Sequence, residues 1–212
     1  MRSMSTIFLL SPAYCGGRRA AIMLRPGSQI DVAQRLRSET LTLGDAFSFM
    51  SGLYFRGKIA YARAFAPAGA TFVITPTRGL QLPDAVVTED VLREFAGVDI
   101  SADDVRYREP LERDLRALSA RIPAESRVVL LGSVATGKYV DALVRCLGAR
   151  VHFPLTFIGR GDMSRGGLLL RHAASGLELE YRVLDAAARR RGPRPPRLDP
   201  RTRVRVHVDA AN

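Results

Sequence analysis

The stretch Arg127-Val128-Val129-Leu130-Leu131-Gly132-Ser133-Val134-Ala135-Thr136-Gly137-Lys138-Tyr139, continued to Gly148, reads as a strand, a glycine turn and a helix. Val128 to Leu131 is a short, unbroken apolar run, the pattern of a parallel strand covered on both faces, and Gly132 ends it. Val140, Leu143, Val144 and Leu147 recur at three- and four-residue spacing and give the next segment one apolar helical face. A helix opening directly after a buried strand predicts an α/β fold. It also makes the carboxyl edge of the sheet the expected ligand side, because free backbone N–H groups face outward there.

The same pattern extends in both directions. Thr6 to Leu10 reads as a first buried strand, ended by Ser11-Pro12 and followed by the loop Ala13 to Arg19. Helices are expected over Ile30 to Arg37, from a Thr42 cap with Asp45 to Gly52, and over Leu53 to Phe65 with Ile59, Ala62 and Phe65 inward. Thr71 to Thr75 reads as a strand with a long loop, Arg78 to Asp84, after it. Thr88 caps a helix through Phe95, and another begins near Glu109 with Leu111, Leu115 and Leu118 on one side. Arg150 to Phe153 is a further strand. In the charged, glycine-rich loop Gly159 to Gly167, Ser164 is placed to cap a helix through Leu170, and Leu177 to Leu184 alternates as an edge strand. These elements predict one α/β domain over residues 1–188, a three-layer sandwich around a mostly parallel sheet. Residues 189–212 form a basic tail in which Arg189 to Pro200, rich in Arg and Pro, is expected to be flexible. Arg201 to Val208 alternates like a strand with no clear partner.

The formal net charge is +11 and the sequence pI about 10.7. Arg182 to Asn212 holds nine Arg and three Asp, so more than half of the excess lies toward the tail. That balance suits anionic partners such as nucleic acid or nucleotides, and suits equally an arginine-rich solvated surface. The two cysteines, Cys15 and Cys146, stand in no metal-ligand spacing. No metal and no cofactor is expected. The apolar run Ile7 to Leu10 is too short for a signal-peptide core or a membrane span, so a soluble cytoplasmic protein is expected.

Gly132 to Lys138 has the spacing of a phosphate-binding loop up to the lysine, in the required strand-to-helix context. Tyr139 stands where a Ser or Thr hydroxyl would hold magnesium, and no later strand ends in Asp. The reading is therefore a glycine turn with Ser133 and Lys138 at a ligand edge, with a P-loop-like nucleotide binder as an alternative. Cys15, followed by Gly16-Gly17-Arg18-Arg19, reads as a reactive thiol or as an inert turn cysteine, and Arg18 and Arg19 suit a phosphate. Asp162, between Arg160 and Arg165, reads as a catalytic carboxylate or a loop salt bridge, and Asp84 as a carboxylate or an ordinary turn residue. Tyr54 and Phe55 suit base stacking or the core. The expected phosphate or nucleic-acid contacts are Arg18, Arg19, Lys58, Arg78, Gly132, Ser133, Lys138, Arg160, Ser164 and Arg165. The expected catalytic candidates are Asp162, Asp84 and Cys15.

Ser11 to Arg19, Ser51-Gly-Leu-Tyr-Phe-Arg-Gly-Lys-Ile-Ala-Tyr-Ala62 and Val73-Ile-Thr-Pro-Thr-Arg-Gly-Leu-Gln-Leu-Pro-Asp84 occur in the order found in YaaA-like bacterial proteins. Over about residues 6–148 the chain resembles that family, with Arg78 where the family usually has Tyr. The stretch around Gly132 is also similar to the late strand of the uracil-DNA glycosylase superfamily, where a His-Pro-Ser loop follows; here His152-Phe-Pro154 takes that place. The resemblance implies a glycosylase-like fold. Ser11 to Arg19 contains no Asp, Glu or His of the kind those enzymes use to position water, so the fold is expected without their standard chemistry. The function expected is nucleic-acid or nucleotide binding through basic post-strand loops, in DNA or RNA maintenance or a stress response. The rival is an enzyme acting on a nucleobase or an N-glycosidic bond, and an assembly or scaffold role is a third class.

Overall fold

A computed structural model describes residues 6–185, 192–196 and 198. Among them a six-stranded mixed sheet and eight α-helices form an α/β fold. The strands are β1 (Thr6–Leu10), β2 (Thr71–Ile74), β3 (Leu80–Gln81), β4 (Arg127–Leu131), β5 (Val151–Pro154) and β6 (Tyr181–Val183), in the order β3-β2-β1-β4-β5-β6. The inner four run parallel, and the two edge strands are antiparallel.

β1 and β4 pair in register from Thr6 with Arg127 to Leu10 with Leu131. Their side chains alternate between two cores. Phe8, Leu10, Val129 and Leu131 enter one, while Ile7, Leu9, Val128 and Leu130 enter the other. Burial on both faces explains why these runs are apolar throughout. The first core is covered by α1 (Arg18–Met23), α2 (Asp31–Arg37), α3 (Leu43–Ser51), α4 (Leu53–Phe65), α5 (Glu89–Ala96) and α8 (Asp162–Ser175). The second is covered by α6 (Val105–Arg121) and α7 (Gly137–Leu147).

Two glycines decide how α4 meets α8. A Cβ on Gly57 would come within 2.7 Å of the Gly166 carbonyl oxygen, and one on Gly166 within 2.7 Å of the Leu53 carbonyl oxygen. The helices therefore touch backbone to backbone. Glycine near the start of α8 weakens the sequence case for a helix, yet it is what allows this crossing.

Several boundaries depart from expectation. Arg18 and Arg19, expected at the end of a loop, open the helix Arg18–Met23, in which Ala20 and Met23 are buried. α6 starts at Val105, where the Asp104 carboxylate accepts from the Arg106 N–H, and it continues through Pro110; in its first turn the Tyr107 hydroxyl donates to the Lys138 carbonyl at 2.9 Å. Leu80–Gln81 pairs with β2 inside what reads as a loop. α8 begins at Asp162 after Gly161 with no side-chain cap, so Ser164 lies inside the helix. Of the segment expected to be flexible, Gly192–Pro196 and Leu198 are described. Arg160 donates to the Pro196 carbonyl, and Leu198 packs on the first core. The alternating run Arg201 to Val208 lies outside the described residues. No helix among those described is long and apolar enough to cross a membrane.

Candidate functional site

The carboxyl ends of β1 and β4 lie side by side, and Ser11 closes the ladder: its N–H and its hydroxyl both donate to the Leu131 carbonyl, at 3.3 and 3.4 Å. Gly132 leaves the space Ser11 needs, since a Cβ there would stand 2.9 Å from that of Ser11. A cavity of about 510 Å³ opens above this junction. Arg18 and Arg19 of α1 border it on one side and Lys138 of α7 on another, with Tyr54 and Lys58 from α4 and Asp162 from the start of α8. Four cationic side chains and one carboxylate thus surround a single opening.

Lys58 is the most constrained of these groups. It is 1% exposed, and its Nζ donates to the Ser11 carbonyl at 2.8 Å and to the Ser11 hydroxyl oxygen at 2.7 Å. The same nitrogen lies 4.0 Å from the centroid of the Tyr54 ring. No carboxylate among the described residues reaches ion-pair distance. Burial therefore dominates and draws its titration down from 10.5 to about 7; Asp162 favours the ammonium, while Arg165 and Lys138 oppose it.

The neighbours are held in graded ways. Arg19 donates to the Phe49 carbonyl at 3.1 Å, passing over Gly52, whose φ of 62° and absent Cβ leave it room. Arg18 is exposed and has no hydrogen-bond partner among the described residues. Lys138 lies 5.1 Å from the centroid of the Tyr139 ring, and Tyr139 is itself buried. Arg165 is buried and donates twice to the Phe157 carbonyl, at 3.3 and 3.2 Å, which leaves Nη1 for Asp162 at 3.3 Å. The Tyr54 hydroxyl is buried beside Arg165 without a well-formed hydrogen bond among the described residues; burial raises its titration and Arg165 moderates the rise.

Of the residues singled out in the sequence, the cavity gathers Arg18, Arg19, Lys58, Ser133, Lys138 and Asp162. The others lie elsewhere. Cys15 is buried, donates weakly to the Ala13 carbonyl and has its thiol pushed up to about 12 by burial, which opposes thiolate chemistry. Asp84 lies at the far end of the sheet, because antiparallel β3 turns the chain back toward Thr71; it pairs at 3.8 Å with Arg63, both largely exposed. Arg78 forms an ion pair with Glu94 at 2.7 Å on the surface. Gly132 is a packing position. Arg160 donates to the Thr156 carbonyl and to the Ser164 hydroxyl, so each satisfies part of the other. Arg165 supports Asp162 from behind.

Sequence reading missed Ser11 as the holder of Lys58, and it placed Tyr54 between two roles. The signal available was local: Tyr54 and Lys58 are four apart on one helix and so share a face. Nothing local tells that this face meets the end of β1. Among the described residues no cluster of three His, Cys, Asp or Glu side chains is placed to hold a metal ion. Compared with models of protein families, with curated proteins and with solved structures, the chain finds no match.

Proposed function

We propose that the cavity binds the phosphate-bearing part of a nucleotide or of a nucleic-acid strand. The observation that carries this reading is the lining itself: Arg18, Arg19, Lys58 and Lys138 against Asp162 alone, at the carboxyl ends of the parallel strands β1 and β4. Open α/β sheets take ligands at that edge. The volume of about 510 Å³ falls within the range of small-ligand sites. An anion entering would find four basic side chains, none of which has a carboxylate within ion-pair distance among the described residues. The resemblance to YaaA-like proteins and to the glycosylase-type three-layer sandwich agrees with a nucleotide-derived ligand, and the helices on both sheet faces agree with that architecture.

The test compares a nucleoside monophosphate with its nucleoside by calorimetry, at low and moderate salt. The expected result is binding of the phosphorylated form alone, weakened by salt and by Lys138→Met. Equal binding of the nucleoside, or affinity indifferent to salt, rejects the reading. Single-stranded DNA should show a salt dependence that flattens when residues after Ala188 are removed.

A second reading, action on a nucleobase or N-glycosidic bond, is favoured by Asp162, the one carboxylate in the cavity. Base release from modified DNA that disappears in Asp162→Asn would support it.

A further inference from the structure

The full sequence contains 32 lysines and arginines, and only two of them, Lys58 and Lys138, are lysines. Wherever else this chain uses a long basic side chain, it is arginine. Both lysines line the same cavity. Arginine matches lysine as a surface cation and exceeds it as a phosphate clamp, but its guanidinium does not lose its proton in proteins and cannot act as an amine. A site that needed only positive charge has no use for this exception.

Resting on the phosphate-binding reading, we infer that Lys58 is a nucleophile that forms an imine with a phosphorylated aldehyde, the phosphate lying toward Arg18 and Lys138. The geometry meets the requirements of an amine nucleophile. Lys58 lines the cavity, yet its side chain is shielded from bulk water and lacks a carboxylate partner that would keep it protonated. Two of its four tetrahedral positions go to the Ser11 carbonyl and hydroxyl, and Cε takes a third. A neutral amine keeps its lone pair on the remaining position. Burial beside Tyr54 and Phe55, with Arg165 and Lys138 as like charges, is the environment in which lysine amines become nucleophilic near neutral pH.

The step is balanced without any added oxidant or reductant. The Lys58 nitrogen adds to the carbonyl carbon, the C–O π pair moves to oxygen, and a proton passes from nitrogen to that oxygen. The resulting hydroxyl leaves with a second proton as water while the C=N bond forms. One amine and one aldehyde give one imine and one water. The aldehyde can belong to a free sugar phosphate or to the ring-opened sugar of an abasic nucleotide in DNA, since both carry a carbonyl near a phosphate.

The experiment traps the imine. The full chain is incubated with sodium cyanoborohydride and, in separate arms, glyceraldehyde 3-phosphate, ribose 5-phosphate, unphosphorylated glyceraldehyde or an oligonucleotide with one abasic site. Intact mass and peptide mapping then locate the adduct. Expected is a single adduct on Lys58, formed at pH 7 on the order of a thousandfold faster than on an ordinary lysine amine, and slower with glyceraldehyde than with its phosphate. Whichever phosphorylated arm reacts fastest identifies the source of the aldehyde. Lys58→Arg keeps the cation and should abolish trapping. Mapping on the wild-type chain decides the matter even if that variant fails to fold. Adducts on Lys138 or the N-terminal amine in place of Lys58, or no adduct, overturn the inference. If the nucleoside monophosphate still binds in the calorimetric assay, the binding reading survives that failure; if it does not, both fall. Equal trapping of glyceraldehyde and its phosphate overturns the phosphate half.

Discussion

Two buried charges on opposite faces of the sheet are treated in opposite ways. Glu112, on α6, is 8% exposed and is clasped by Arg116 at 2.6 Å and Arg145 at 2.5 Å. Lys58, on α4, is 1% exposed and receives one hydroxyl, one carbonyl and an aromatic face. The first charge is neutralised by its surroundings and ties α6 to α7. The second is left with its proton only loosely held. Burying a charge costs stability unless it is paired, and an unpaired buried base answers by shedding its proton. A protein that pairs one and not the other has built a strut in one place and a reactive amine in the other.

The largest effect expected from breaking this contrast lies at the helix crossing that holds Lys58 in place. Gly166→Val must push a side chain into the Leu53 backbone, so a loss of about 1–3 kcal/mol or more is expected, read by urea unfolding. Next is the strut. Glu112→Ala should cost about 1–2 kcal/mol, discounted from the cost of a fully buried pair because both arginines are some 60% exposed. It should leave imine trapping at Lys58 unchanged.

Lys58→Met sharpens the comparison through pH. The folded-state titration of Lys58 lies near 7 and the unfolded value near 10.5, so between them the unfolded chain holds the extra proton. The wild type should therefore gain stability relative to Lys58→Met as pH rises from about 7 toward 10.5, and carry its full penalty below 7. Urea midpoints at pH 6 and pH 9 measure this, and parallel pH dependence of the two proteins would contradict it. The smallest effect concerns the neighbours. Lys138→Met removes a like charge and should shift the pH midpoint of trapping upward, while Asp162→Asn should shift it downward.

Much of this architecture is visible in the order of residues. Val128–Leu131 and Ile7–Leu10 are legible as central strands because burial on both faces leaves no polar position, and the Thr42 and Thr88 caps are legible because their hydroxyls do bond the Asp45 and Val91 N–H groups. The place of the cavity, beyond the carboxyl ends of β1 and β4, follows from the same strands. Asp84 was misplaced for a tertiary reason: only pairing of Val73 with Gln81 reveals that the chain after Thr75 doubles back. Lys58 was expected as a phosphate contact like the arginines, because helical periodicity assigns Ile59, Ala62 and Phe65 to the interior and treats the residue beside them as surface. In fact α4 is buried on nearly its whole circumference, with Tyr54, Phe55, Lys58 and Tyr61 all inside. The amine stands out only once the Ser11 carbonyl is seen next to it.

The crossing of Gly57 and Gly166 also sets where this site is stiff. At that crossing the two backbones meet with no side chain between them to absorb motion, so the wall carrying Lys58 and the one carrying Asp162 are expected to move together. The opposite wall is the six-residue α1, fixed by Ala20 and Met23, with Tyr14 75% exposed at its approach. Amide exchange should accordingly be fast in α1 and slow in α4. A ligand of the proposed kind would then enter past Tyr14 and Arg18 and meet groups already in position.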